Sequence, residues 1–345
     1  MIKEIVRTIE HLVHVPSPSG YTKRAIETVE QLLEETPFRK WRDRKGGLFV
    51  AVPGHNDERR RLLTAHVDTL GAMVKEVKPS GRLSLSMIGG FNWNAVEGEY
   101  CTVHVRKGGE VTGTIVMHET SVHVYRNSGD LPRNETHMEV RLDAVTRSKE
   151  ETEALGIRPG DFVSFDPSFE CAMNGFVKSR HLDDKASVAL LVTWLRAHAK
   201  RGAKLPHTTL VYFSTNEEIG YGGNSNIDPS IEEYVAVDMG AIGDGQATDE
   251  YSVSICVKDS SGPYHYELTN ELENIARRDN IDYVVDIYPY YGSDASAAMR
   301  AGADVRHALF GPGIESSHAL ERTHERSLQA TYALIEAYTA STMIE

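Results

Sequence analysis

Apolar residues recur at helical spacing over residues 2–13, and again over 22–33, with the breaker Pro16-Ser17-Pro18-Ser19-Gly20 between the two predicted helices. Strands are predicted at 47–52 and 61–65, the second running into His66-Val67-Asp68 at its carboxyl end. From Met73 the texture changes. Short alternating runs such as Cys101, Val103, Val105 are punctuated by Pro79-Ser80-Gly81 and Lys107-Gly108-Gly109, a pattern of small antiparallel hairpins. Within this stretch Ser148 and Glu151 form a candidate capping box before Gly156, and 161–165 reads as a strand. The pattern predicts an inserted β-rich domain over 71–167, interrupting a larger domain made of 1–70 and 168–345.

After the insertion, helical and strand periods alternate. A helix is predicted over 184–198, strands over 208–213, 234–237 and 251–257, a helix over 264–278 and a strand over 283–287. A short helix at 295–300, a strand at 305–310 and a terminal helix after Glu325 complete the series. Such alternation predicts an α/β fold: a mainly parallel mixed sheet sandwiched by helices.

Composition narrows the function classes. The chain has 345 residues, 40% of them apolar, which is enough for one large domain or two. Fifty acidic against 37 basic side chains leave a formal charge of −13, which repels phosphate backbones and argues against a nucleic-acid partner. No eighteen apolar residues stand together, and the first ten residues lack a basic start followed by an apolar run. No membrane partner is expected, and a cytoplasmic location is. Cys101, Cys171 and Cys256 lie far apart with no Cys-x-x-Cys spacing, so buried free thiols in a reducing compartment are the expectation.

Five places in the α/β parts end or follow a strand with a residue able to hold a metal, which is where open α/β sheets place ligands. They are His66-x-Asp68, Asp183-Asp184, Glu217-Glu218, Asp238 and His318. Two residues apart on a strand, His66 and Asp68 point to one face, so Asp68 could hydrogen-bond the ring nitrogen that does not bind metal. The side chains of Glu217 and Glu218 diverge enough for one to bind metal and the other to handle a proton. Asp183-Asp184 also fits a helix N-cap. Asp238, directly after an apolar strand, needs a partner for its charge. Taken in order, His, Asp, Glu-Glu, Asp, His make a full ligand set for two metals with one carboxylate left for catalysis.

That order and its local wording resemble the M42 metallo-aminopeptidases, the glutamyl-aminopeptidase and tetrahedral-aminopeptidase group. The resemblance rests on His66-Val67-Asp68, Gly89-Gly90, His181-Leu182-Asp183-Asp184-Lys185, Ser214-Thr215-Asn216-Glu217-Glu218-Ile219-Gly220, Val237-Asp238, Gly292-Ser293-Asp294-Ala295 and Ser317-His318. It implies a zinc-exopeptidase-like catalytic domain carrying a PDZ-like lid, and hydrolysis of the amino-terminal bond of short peptides by water activated between two divalent ions, Zn2+ or Co2+. It further implies that Asp183 bridges the ions, that His66 and Asp238 complete one site, and that Glu218 and His318 complete the other. Glu217 becomes the general base, with Asp68 supporting His66. Partners implied are peptides with a free amino terminus and further copies of the chain, as dimers that build dodecamers. The chain departs from the family at Thr69-Leu70-Gly71 and at Lys185, where Glu-Ile-Gly and Arg are usual; neither change replaces a ligand. His324, six residues beyond His318, is the competing last ligand.

Two other readings share these residues. A related dinuclear deacylase or carboxypeptidase would use the same ions, and an endoglucanase-type glycosidase would use paired carboxylates without His66 or His318. Three features have two readings each. Gly292-Ser293-Asp294 either shapes the cleft or caps the next helix, Tyr288, Tyr290 and Tyr291 form either a substrate wall or a core edge, and His181 either lines the site or makes an ordinary polar contact.

Overall fold

In the strand Leu205–Ser214, Val211 and Phe213 enter one apolar layer while Leu210 and Tyr212 enter another. The strand Gly54–His66 divides Leu63 from Leu62 in the same way. Strands buried on both faces belong mid-sheet, and the computed structural model, which describes residues 1–225 and 227–345, places them there. The ten-stranded sheet runs Arg39–Arg42, Leu48–Val52, Leu205–Ser214, Gly54–His66, Ile231–Val237, Arg306–Ile314, Val253–Asp259 and Gly262–Pro263, with Tyr283–Ile287 and Gly240–Ala241 joined at its flank. The four strands from Leu205–Ser214 to Arg306–Ile314 are mutually parallel, and the outer pairs beside them are antiparallel. This is the predicted mixed α/β sheet.

Helices Ile2–Val13, Lys23–Leu32, Leu182–Arg201, Tyr266–Arg278 and Glu325–Ala340 bury their apolar stripes in one layer. The opposite face is covered by the short helix Asp294–Arg300, through Ala295 and Ala298, and by Tyr234, Tyr264 and Tyr288. Arg61 starts the predicted strand as a fully buried charge, and its donors are filled. Nε donates to Glu233 Oε2 at 2.8 Å, and Nη1 donates to the carbonyls of Tyr338 and Ser341 at 2.7 and 2.8 Å. A buried ion pair holds only with such satisfaction, and this one ties the terminal helix to the sheet.

The β-rich insertion is a closed six-stranded barrel in the spatial order Gly71–Val77, Leu83–Ile88, Met138–Leu142, Glu110–Met117, Tyr100–His104, Phe162–Phe165. The ring closes where Ala72 pairs with Val163. Ser148 caps Lys149–Ala154 by accepting from the Glu151 amide at 3.2 Å. The Glu151 carboxylate reaches one residue further back than a capping box requires, to the Arg147 amide at 2.6 Å. Three short strands, Glu170–Cys171, Phe176–Ser179 and Glu321–His324, form a small sheet that the sequence pattern does not predict. Two to four residues are too few to display a period. The strand ending at His66 also begins earlier than predicted, because its first part, His55 to Arg60, is uniformly polar.

Candidate metal centre

Parallel strands end on the same edge of a sheet, so the segments that follow them meet there. His66 pairs with Ser214, and Val237 with Phe310. Glu217 and Glu218 lie in the single turn Glu217–Ile219 after the first of these strands, Asp238 directly follows Val237, and His318 follows Ile314 by four residues. Asp183 and Asp184, joined by a cis peptide, approach from the start of Leu182–Arg201 with non-helical dihedrals; they are not its N-cap. Among the described residues, six non-glycine positions have positive φ, and four of them, His181, Asn216, Ser316 and His318, border this edge. Backbone held in such sparsely populated conformations collects at functional sites.

The donor atoms lie at short separations. His66 Nε2 is 3.1 Å from Asp183 Oδ1 and 3.7 Å from Glu217 Oε2. His318 Nε2 is 3.4 Å from Asp183 Oδ2 and 3.5 Å from Glu218 Oε2. Asp183 thus spans two histidines, one at each carboxylate oxygen. Donors sharing a tetrahedral ion at 2.0–2.2 Å are about 3.3–3.6 Å apart, which is the spacing of His318 Nε2 from Asp183 and from Glu218. Two trios, His66 with Asp183 and Glu218, and His66 with Asp184 and Asp238, each bring one donor atom per residue within 4.8 Å of one another. Glu218 Oε1 and Asp184 Oδ1 are buried without a hydrogen-bond partner. The residues present therefore fit bound cations, with His66 common to both trios. Asp184 enters the cluster unexpectedly; its Oδ2 also accepts from the His66 amide at 3.2 Å.

Charge makes the same argument. Burial, reinforced by neighbouring carboxylates, pushes Glu218 up to about 8 and Asp238 to about 7, and raises Asp184 and Glu217 well above their ordinary values. Burial would lower the histidines, but Asp183 and the surrounding acids overcome it, raising His66 and taking His318 to about 10. Asp183, between both rings, is held low despite its burial. Shifts of this kind mark a site with more negative charge than its own side chains neutralise, and metal ions displace protons from such donors.

The supporting contacts differ in part from expectation. His66 Nδ1 contacts the Asp68 main-chain carbonyl at 2.9 Å, whereas the Asp68 carboxylate is 3.6 Å away. That carboxylate accepts instead from Ser19 Oγ at 2.5 Å and from the amides of Glu217 and Glu218 at 3.1 and 3.2 Å, so it anchors the turn carrying both glutamates. The loop after that turn is fixed by Asp294, which accepts from Ser214 Oγ at 2.5 Å and Gly223 N at 2.6 Å. Packing is tight enough that a Cβ at Gly223 would stand 1.8 Å from the Tyr234 hydroxyl. His318 Nδ1 is 2.5 Å from the Gly90 carbonyl, at the end of a barrel strand. Glu321, buried and absent from the sequence reading, accepts main-chain N–H bonds from both Asp183 and His318. Its signal was one acid three residues beyond His318.

The open alternatives also resolve. His324 is not brought into the cluster: it caps Glu325–Ala340 by accepting from the Arg326 amide at 3.0 Å. Ser293 caps Asp294–Arg300 in a capping box with Ser296. Tyr288 is buried against Thr248 and Ser254, Tyr290 is exposed, and Tyr291 borders the cleft with its hydroxyl donating to the Met239 carbonyl at 2.8 Å. His181 is buried, lining a small cavity beneath Asp183 and His318. Lys185 is buried too, donating to the Val15 carbonyl at 2.7 Å. Cys101 and Cys256 are buried, but Cys171 is exposed. A cleft of about 830 Å³ opens at the cluster, and Asp183, Glu217, Glu218, Asp238 and His318 line it together with Phe91, Asn92, Tyr290 and Arg300.

Residues 46–334 match the sequence model of the M42 peptidase family, described as M42 glutamyl aminopeptidase. A Bacillus subtilis protein named as a candidate aminopeptidase, YhfE, is 56% identical over 343 residues, covering 99% of both chains. The lysyl aminopeptidase of Pyrococcus furiosus is 22% identical over 337 residues and 95% of both chains. Among solved structures, the Pyrococcus horikoshii TET1 peptidase, described as able to assemble into a tetrahedron or a large octahedral shell, superposes with a TM-score of 0.86 at 24% identity. That match covers 98% of this chain and 100% of the other, and it shows a shared fold.

Proposed function

The chain belongs to the M42 glutamyl aminopeptidase family, whose members are peptide hydrolases, and on that premise we propose that it removes single residues from the free amino ends of short peptides at a two-ion centre. In this reading Asp183 would serve both ions, His66 and Asp238 would complete the ligands of one, and Glu218 and His318 those of the other. Asp184, beside His66 and Asp238, orients the first site through the His66 amide. Mixed imidazole and carboxylate donors suit Zn2+ or Co2+ better than Mg2+. The observation that carries the reading is the spacing of Asp183 between two imidazoles, at 3.1 Å to one and 3.4 Å to the other.

When bound, a pair of ions supplies polarisation of the scissile carbonyl and brings the pKa of water toward ~7. The chain's own residues do the rest. Glu217 lines the cleft, and its main chain is pinned by Asp68, so its carboxylate stands ready to take the proton of the attacking water and give it to the departing amine. The free amino nitrogen of the substrate would be a ligand to one of the ions, which an acylated nitrogen, with its lone pair delocalised, cannot be. The barrel, taken as a lid domain over 71–167, helps to orient His318 through Gly90. We place the enzyme in the cytoplasm as a homo-oligomer, a dimer that can build a dodecamer; the tetrahedron or octahedral shell named for the TET1 peptidase supports the homo-oligomer. Among the described residues, no helix is long and apolar enough to cross a membrane.

A panel of aminoacyl amides tests the proposal. Unblocked amides are expected to be cleaved, with activity lost to a chelator and restored by Zn2+ or Co2+, and N-acetylated counterparts are expected to be inert. Equal cleavage of acetylated substrates favours a deacylase or carboxypeptidase. Chelator-resistant hydrolysis of a β-glucan favours a glycosidase.

A further inference from the structure

Glu321 touches the main chain of two proposed ligands at once. Its Oε2 accepts the Asp183 N–H at 3.0 Å, and its Oε1 accepts the His318 N–H at 3.1 Å. The side chain is 2% exposed. It stands at the first position of Glu321–His324, which pairs in antiparallel register with Ser179 in Phe176–Ser179. Those strands hold it between the segment entering Asp183 and the loop carrying His318. Both segments need holding, because His181 and His318 have left-handed φ values of 68° and 64°, a region that L side chains leave when nothing constrains them.

We infer that Glu321 is a positioning residue of the proposed centre, one carboxylate that sets the gap between the Asp183 and His318 main chains so that Asp183, Glu218 and His318 converge on a single ion. The inference rests on the two-ion reading above. His318 is then fixed twice: its ring by the Gly90 carbonyl, and its backbone by Glu321. The His66 and Asp238 side of the cluster owes less to this contact, since His66 is held through its own strand and through Asp184. Glu321 therefore acts on the two halves unequally, which a general contribution to folding would not do.

Glu321→Gln separates the possibilities. The amide has nearly the same shape but only one acceptor oxygen, so its NH2 group would face one of the two N–H donors. Metal-free protein is titrated with Zn2+ by calorimetry, and its thermal unfolding is recorded without metal. The parent is expected to take two ions. The variant is expected to bind the ion nearer His318 about 10- to 100-fold more weakly, as loss of supporting contacts to metal ligands commonly does, and to weaken the other, which shares only Asp183, by much less. Its metal-free unfolding midpoint is expected to stay within a few degrees of the parent. Two unchanged binding steps would overturn the inference. So would equal weakening of both steps with a lowered midpoint, or failure to fold, either of which assigns Glu321 to the fold. A parent that takes fewer than two ions would instead refute the two-ion reading itself.

Discussion

Glu217→Gln is expected to lower kcat on an unblocked aminoacyl amide by about 10³-fold or more while metal content stays at the parental level. General acid–base groups contribute about 10²- to 10⁴-fold, and a 10³-fold loss corresponds to about 4 kcal/mol of transition-state stabilisation. Glutamine keeps the side chain's length and its place in the cleft but cannot accept and return a proton. The Glu217 carboxylate lines the cleft 3.7 Å from His66 Nε2, within reach of a water held at the proposed centre. In the ion-free protein, burial with the neighbouring Asp238, Asp294 and Glu218 raises its carboxyl above the usual range, and cations bound beside it would draw it back down to the ionised form that a base needs. Kinetics with parallel elemental analysis checks this, and near-parental turnover would remove Glu217 as the base.

The second large effect concerns Asp183→Ala, which is expected to empty both sites together. Each carboxylate oxygen faces a different histidine, so removing the side chain takes one donor from each half of the cluster. Contacts that only support a ligand are worth about 10- to 100-fold in metal affinity, and a shared ligand exceeds that at both ions. Dialysis against Zn2+ buffered near the parental affinity, followed by elemental analysis, should find well under one ion per chain and no measurable hydrolysis. Circular dichroism should remain that of a folded protein, because Glu321 holds the Asp183 backbone and not its side chain. Two ions retained at parental affinity would contradict the shared ligand.

Much of this was legible in the sequence because the central strands are long and apolar and each ends in a residue with chemistry. Leu62-Leu63-Thr64-Ala65 before His66, and Tyr234-Val235-Ala236-Val237 before Asp238, announce both a buried strand and the edge on which its last side chain must lie. The order of the donors then carries the family resemblance. The missed features depend on three-dimensional closure. Asp184 reads as a helix start until the dihedrals at Asp183 and Asp184 turn its carboxylate toward His66. Asp68 stands two residues from His66 and so invites a pairing with the ring, but the turn at Glu217 offers it two amide donors and takes its charge. Glu321 acts through main-chain amides 138 and 3 residues away, and no periodicity encodes such contacts.

In the proposed centre one carboxylate, Asp183, would serve two cations. Anomalous X-ray scattering at the zinc edge, from crystals grown with Zn2+, tests it most directly. Two peaks about 3.5–4 Å apart are expected on either side of the Asp183 side chain, one toward His66 and Asp238, the other toward Glu218 and His318. A single peak, peaks remote from Asp183, or no peak in crystals of enzyme that remains fully active would contradict it.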